Sequence, residues 1–307
     1  MKPSPLKYHR PRSIEEACQI LAGVDGKVLA GGQSLIPMLS MRLAAPGNLI
    51  DITGIAGLDE ITASAQSGVT FAALATHASV ASNRAAARTQ PLLGRALQLV
   101  AHPTIRNRGT TVGSIVHADP SAEMPAVIRL LDGSVTVQSV RGRREITAQD
   151  LFLGPLESSL ETDEIAIAAT VPAARPGVGT AIDEIARRQG DYALVGVVAR
   201  AEVSEGGEVR SAQVTYVSAG EFGEVTDFTD VIAGACISDA RDPKWNALSE
   251  AARHRIETEP DIHATAAYRS QLVAALTARV VMAAAVDGAS SMTTHKAALH
   301  VDSGVNQ

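Results

Sequence analysis

Apolar residues recur at helical spacing at the start of the chain. Ile14, Ala17, Cys18 and Leu21 follow Ser13 and Glu16, whose separation is that of a capping box. Gly23 closes this predicted helix. Lys27–Ala30 then reads as a short apolar strand that runs into Gly31-Gly32. Ser34 is placed to cap a second helix through Leu43, with Leu35, Leu39 and Leu43 on one face and Pro37 in its first turn. Asn48–Ile52 is a second strand, so residues 1–55 form a small β-α-β-like unit with a glycine turn between strand and helix.

From 56 to 175 the pattern becomes short strands (68–72, 134–139, 143–147, 164–171) among helices. One helix opens at Pro91 and buries Leu92, Leu93, Ala96, Leu97 and Val100; another covers about 122–131. Between them, His102–Pro120 reads as a long polar loop. The turn-rich run Ala173–Gly179 is the best boundary in the chain. Beyond it, 176–287 holds three predicted strands (180–186, 193–203, 209–218), the last two joined as a hairpin by Gly206-Gly207. Two helices follow, about 245–256 and 264–286. In 288–307 the pattern fades, and that tail is expected to be mobile or to lie against a partner.

Composition narrows the function. With 46% apolar and 20% charged residues in 307, the chain is a folded globular protein. A net charge of −6 excludes a whole-chain basic footprint for nucleic acid, and one Trp, four Tyr and four Phe are too few for base-stacking platforms. Cys18 and Cys236 are far apart and in no CxxC spacing, so neither a disulfide framework nor an iron–sulfur site is expected in this chain. Both read as small buried hydrophobes. The first eleven residues lack the apolar core of a signal peptide, and no apolar run reaches the ~18 residues of a membrane span. The longest, Leu272–Val286, contains Arg279; a cytoplasmic location is expected.

Two stretches carry candidate chemistry. The first is Ala30-Gly31-Gly32-Gln33-Ser34-Leu35. Adjacent glycines let backbone approach a ligand and aim successive N–H groups one way, and the following helix start suits a phosphate or pyrophosphate. Alone it is also an ordinary strand–helix turn. The second is Thr104–Ser114 with its sequel Ile115–Pro120, in which two arginines, threonines, glycines and a serine suit an anion or a polyol. It reads equally as a solvated crossover, with Arg106 and Arg108 in surface ion pairs or contacts to another subunit. His117, Asp119 and Glu123 fit helix-entry hydrogen bonding better than metal ligation, and no metal site is expected. His77 reads as a core or cap histidine, and Tyr192 as either core or a ring-stacking residue. No nucleophile elbow or catalytic triad ordering is present, and no catalytic side chain is assigned.

Taken together, Tyr8-His9-Arg10-Pro11, the run AGGQSLIPML at 30–39, IRNRGTTVGSIVHADPSAEMPAV at 105–127 and ARRQGDYALVG at 186–196 resemble the FAD-binding medium subunit of molybdenum-containing hydroxylases, the carbon monoxide dehydrogenase and xanthine dehydrogenase-like group. Asp261-Ile262-His263 with Tyr268-Arg269 resembles that family's C-terminal domain. The resemblance implies an α+β fold: a two-subdomain FAD-binding (PCMH-type) domain, then a C-terminal domain of a three-stranded antiparallel sheet with helices. It implies FAD held by Leu29, Ala30, Gly31, Gly32, Gln33, Ser34 and Leu35 around the pyrophosphate, and by a second loop with Thr110, Thr111, Gly113 and Ser114. Asp119 and Glu123 would reach ribityl or ribose hydroxyls, Tyr192 would lie near the isoalloxazine, and His77 and Ile105 would be pocket wall. One position departs. The family's second loop has Thr-Ile-Gly-Gly where this chain has Thr110-Thr111-Val112-Gly113, and valine disfavours positive φ.

The same resemblance implies a function and partners. It describes an electron-transfer oxidoreductase subunit taking electrons from [2Fe–2S] clusters on a small subunit and passing them to an external acceptor. Hydroxylation of an aldehyde, carbon monoxide or an N-heterocycle would occur at a molybdopterin cofactor on a large subunit. The assembly would be a dimer of heterotrimers. A free-standing flavin oxidoreductase and a scaffold without FAD are the alternatives.

Overall fold

The computed structural model describes residues 2–304, and the side chains of residues 2–294. The chain forms two compact units. The first runs to Asp119 and resumes at Leu131–Pro172; the second comprises Pro120–Leu130 and everything from Ala173. Residues 120–130, read from the sequence as part of 56–175, therefore pack in the second unit.

The first unit opens with β1 (Lys7–His9), α1 (Ile14–Gly23), β2 (Gly26–Leu29), α2 (Leu35–Met41) and β3 (Asn48–Asp51). Both β1 and β2 pair parallel with β3, in the order β1-β3-β2. The capping pattern at Ser13 works as read: its hydroxyl accepts the Glu16 amide at 3.2 Å. The Glu16 carboxylate reaches back to the Arg12 amide at 2.7 Å. Helix α1 buries Ile14, Ala17, Cys18 and Leu21 in a cluster with Ile50, Ile52 and Ile55. Strand β1 was not legible, because its exposed Lys7-Tyr8 pair carries no apolar alternation.

The unit continues with β4 (Ile61–Ser64), β5 (Gly68–Ala72), α3 (His77–Ser82), α4 (Arg84–Thr89), α5 (Pro91–Leu99), α6 (Pro103–Arg106) and α7 (Thr111–His117). Helix α8 (Glu123–Leu130) lies in the second unit. The chain then returns with β6 (Ser134–Ser139), β7 (Gly142–Thr147), α9 (Ala148–Leu151), β8 (Phe152–Gly154), β9 (Glu157–Ser158) and β10 (Ile165–Val171). An antiparallel sheet of order β4-β5-β10-β6-β7 forms its second layer. The stretch expected as a long polar loop, 102–120, holds α6 and α7 instead. Pro103 starts α6, and Thr110 caps α7 by accepting the Gly113 amide at 3.3 Å.

In the second unit, β11 (Val178–Ala186), β12 (Ala193–Val203) and β13 (Val209–Val217) form the expected three-stranded antiparallel sheet, and a two-residue β14 (Thr226–Asp227) adds an edge. Helices α10 (Thr229–Ile232), α11 (Pro243–Arg255) and α12 (Ala266–Gly304) complete it. Val195, Val197, Ala199 and Val214 share a core with Trp245, Leu248, Val273, Leu276 and Val280. Burial at roughly 25 cal/mol per Å² of apolar surface is what holds this small-residue sheet to its helices.

Helix α12, expected to end near Val286, continues to Gly304; the remaining residues of the tail, 305–307, lie outside the described residues. Residues 266–294 are long and apolar enough to cross a membrane by length and composition, against the sequence expectation. Half of that apolar stretch is buried in the unit, however, which is how a core helix behaves. Of the two cysteines, Cys18 is buried as expected and donates to the Gln138 carbonyl. Cys236 is only half-buried, with its sulfur 3.1 Å from the Ser238 hydroxyl.

Candidate functional site

The carboxyl end of the parallel sheet carries the first candidate segment. Leu29 ends β2, Ala30–Ser34 make the turn, and Leu35 begins α2. Gly32 holds φ +73°, a left-handed conformation that a side chain resists, and an added Cβ would press Ile36 and Leu29 at 3.1 and 3.2 Å. Gln33 steadies the turn by donating from Nε2 to the Gly31 carbonyl at 3.1 Å. Among the described residues, the backbone N–H groups of Gly31, Gly32, Gln33 and Ser34 have no acceptor. Four successive free amides beside a helix start form an anion cradle. Ser34 does not cap α2 as the spacing suggested: its backbone is already helical (φ −99°, ψ −47°), and its side chain makes no capping bond.

The second segment comes to the first. A Cβ on Gly31 would strike the Arg108 carbonyl oxygen and lie 2.8 Å from Gly109 Cα and 2.9 Å from Thr110 N. The two glycine-bearing segments, 78 positions apart in sequence at Gly31 and Gly109, thus touch backbone to backbone. The second is fastened from behind. Thr76 and Thr110 form an isolated antiparallel bridge. The His77 amide donates to the Gly109 carbonyl at 2.9 Å and the Thr111 amide to the Ala75 carbonyl at 3.0 Å.

His77 is the buried wedge of this arrangement. Its ring lies against Gly109, where a Cβ would sit 3.0 Å from Cδ2, and its Nδ1 is 3.2 Å from the Thr111 hydroxyl. Burial, and then the positive charge of Arg106, lower its pKa to about 4, so the ring is neutral at pH 7. Among the described residues Arg106 makes no ion pair. It donates from Nη1 to the carbonyls of Val100 and Ala101 at 2.9 and 2.8 Å, across a residue held at φ +41°. Ile105, in α6, is half-buried.

Thr110, Thr111, Gly113 and Ser114 are the cap and first turns of α7 rather than an open loop. This resolves the departure at Val112. Its backbone is helical, its side chain is 1% exposed, and a valine there meets no positive-φ requirement. Its amide has no acceptor among the described residues, so the main chain is left available whichever side chain it bears.

Asp119 follows α7 in the first unit. Glu123 starts α8, and Tyr192, 68% exposed, precedes β12; both belong to the second unit. The structure therefore brings together residues 29–35, 77, 105 and 110–114 within one unit, and carries Glu123 and Tyr192 on the other.

Two acidic groups escaped the sequence reading. Asp51 ends β3 in register with Leu29, at the sheet end that holds the glycine turn. Burial pushes its carboxyl up, but hydrogen bonds from Thr53 and from the Tyr8 hydroxyl outweigh this and hold it below the usual range. An acidic residue closing a strand beside a glycine turn was the available signal. Glu184, on β11, has its pKa raised to about 8, first by burial and then by the carboxylates of Glu123 and Asp183. Its Oε2 is buried with no partner among the described residues. No signal marks it, since Asp183 and Glu184 stand side by side in β11 and nothing in the sequence says which of the two is buried. No group of three or more His, Cys, Asp or Glu able to hold a metal occurs among the described residues.

An anion cradle of free amides, closed by a second backbone segment and backed by a neutral ring, suits the diphosphate of a dinucleotide. Comparison with known proteins identifies the family. Residues 4–174 match the family described as the FAD binding domain in molybdopterin dehydrogenase, and residues 180–284 that described as the CO dehydrogenase flavoprotein C-terminal domain. The nicotine 6-hydroxylase medium subunit of Paenarthrobacter nicotinovorans is 41% identical over 288 residues, covering 92% of this chain and 99% of its own. Among solved structures, quinoline 2-oxidoreductase from Pseudomonas putida 86 superposes with a TM-score of 0.86 at 33% identity, covering 94% of this chain and 100% of the matched chain. Carbon monoxide dehydrogenase from Hydrogenophaga pseudoflava, in a form lacking the Mo-pyranopterin moiety, gives 0.84 at 30% identity, covering 92% and 98%.

Proposed function

The chain belongs to the family of FAD-binding medium subunits of molybdenum hydroxylases, and on that premise we propose that it is the electron-exit subunit of such an enzyme. It is an oxidoreductase component that carries FAD and works with a large and a small partner subunit. In the proposed reading, the small partner supplies electrons from [2Fe–2S] clusters, the large one oxidises a small molecule at molybdopterin, and an external acceptor takes the electrons from this chain. The assembly is a dimer of heterotrimers in the cytoplasm. Of the substrate classes the family admits (aldehydes, carbon monoxide, N-heterocycles), the last is favoured, because similar proteins are named for nicotine and quinoline.

The observation that carries this reading is the cradle: the free amides of Gly31–Ser34 against the backbone of Arg108–Thr110. When bound, FAD supplies the exchange between single-electron and paired-electron transfer. This chain's residues hold and shield it. The amides at 31–34 and at Val112 meet the diphosphate charge, with the start of α2 adding its dipole. Thr110, Thr111, Gly113 and Ser114 set the second wall, and His77 fills the space behind it while carrying no charge at neutral pH. Asp119, Glu123 and Tyr192 are proposed contacts to the hydroxylated chain and the ring. No side chain here needs to act as acid or base on the organic substrate. In this reading the electron donors lie on partners, because the chain's two cysteines are fewer than the four thiolates that hold a [2Fe–2S] cluster.

The test is Gly32→Val in the assembled complex. It should remove the flavin absorbance and stop acceptor reduction, while the organic substrate still reduces the partner centres. Full acceptor reduction by that variant would refute the assignment. Turnover of a substrate by the isolated chain would favour a free-standing flavin enzyme, and a colourless purified chain would favour a scaffold.

A further inference from the structure

Helix α12 continues past residue 284, where the match to the family's C-terminal domain stops. The two turns that follow, residues 285–292, are built into the second unit. Asp287 accepts the Thr180 amide through Oδ2 at 3.1 Å. Ser291 accepts the Gly177 amide at 3.2 Å while donating to the Gly288 carbonyl at 2.7 Å. Gly288 is buried, and a Cβ there would lie 2.9 Å from Gly179 N and 3.1 Å from Gly177 O. A Cβ on Gly179 would strike the Ala284 carbonyl oxygen and the Gly288 amide. Met292 reaches the same turn, 3.4 Å from where a Cβ on Gly177 would be.

All of these partners lie at one place: Gly177–Thr180, the turn and first residues of β11 with which the second unit begins after Ala173. Gly177 needs its glycine for φ +79°, and such a segment is by composition a flexible linker. Here the amides of Gly177 and Thr180 donate to side chains of α12, and two glycines let the backbones close on each other.

We propose that residues 285–292 of α12 are a brace that pins the start of β11 and removes the freedom of the glycine turn leading into it. The segment acts by local ordering, so its loss should loosen 177–180 and leave the middle of the sheet unaffected.

Amide hydrogen exchange on the full FAD-loaded chain tests this. Three forms are compared with the wild type: truncation after Val286, truncation after Thr294, and the full-length double variant Asp287→Ala/Ser291→Ala. Truncation after Val286 and the double variant should each speed exchange at Gly177 and Thr180 at least tenfold, with Val197 and Ala199 in β12 unchanged. Truncation after Thr294 should change neither. If the shorter truncation fails to fold, the double variant alone decides. Unaltered exchange at 177 and 180, or a uniform acceleration across the unit, would overturn the proposal. Flavin content is recorded in every form. Loss of the local protection with flavin retained supports the brace, whereas absence of flavin from the wild type bears only on the cofactor assignment.

Discussion

Gly31→Ala isolates the meeting of the two glycine segments. Gly31 is not in the left-handed region, so alanine adds no backbone strain there; its whole cost is steric. The new Cβ would lie 2.8 Å from Gly109 Cα and 2.9 Å from Thr110 N, besides striking the Arg108 carbonyl oxygen. Comfortable contacts need ~3.5–4.0 Å, so the segments must part by about 1 Å. All three obstacles are backbone, which cannot swing aside as a flexible side chain would, and overpacking of this kind costs about 1–3 kcal/mol. The same displacement moves the amides at 31–34 away from the second wall. If the strain falls on the cofactor-bound state, FAD affinity drops by about 5- to 150-fold at ~1.4 kcal/mol per tenfold. The assay is flavin release followed by fluorescence, with thermal unfolding of the FAD-free protein alongside. Gly23→Ala is the control: a Cβ there meets nothing within 4 Å, so affinity should stay unchanged. Wild-type affinity in Gly31→Ala would show that the two segments do not jointly hold the cofactor.

Two pH predictions follow from the buried groups. The folded His77 pKa is lowered from 6.5 to about 4, so between those values the unfolded chain binds more protons. Stability should therefore rise with pH across that window and be complete above it, by up to about 3 kcal/mol; urea titrations at pH 4.5 and 7 should show this dependence weakened in His77→Gln, and an equal dependence in both proteins would count against a buried neutral ring. For Glu184 the sign reverses. Its folded pKa is raised from 4.5 to about 8, so the folded chain binds the extra proton and stability falls as pH climbs from 4.5 through 8. Glu184→Gln should thus raise Tm at pH 8 and gain little at pH 5, and a gain independent of pH would refute this account.

Local patterns foretold local structure. The Ser13–Glu16 spacing marked the start of α1, and the apolar run in Ala193–Val203 marked β12 to the residue. The glycine turn at 31–32 was legible as a candidate anion site because its chemistry lies in adjacent residues. What failed depended on distant partners. Strand β1 exists because β3 supplies its ladder, with His9 at 2.8 Å from the Asn48 side chain, and nothing within Lys7–His9 announces that. Val112 looked like an obstacle while 102–120 was read as a loop; the Thr110 cap that makes it helical is a single hydroxyl in a polar run. The closure of Gly31 on Gly109 is invisible along the chain, although it makes two weak motifs into one site.

Helix α8 sets a limit on how this protein can be divided. The chain leaves the first unit for only Pro120–Leu130, then goes back to lay down β6, β7 and β10. During that excursion Met124, Ala126, Val127, Ile128 and Leu130 are buried, and the Ala126 carbonyl receives the Thr215 hydroxyl at 3.0 Å. A gene fragment stopping at Pro172 would keep every cradle residue but strip that helix of its sheet, baring a greasy flank to solvent. Cutting the chain after Pro172 therefore does not separate the two units cleanly, because α8 leaves with the first while its sheet stays with the second.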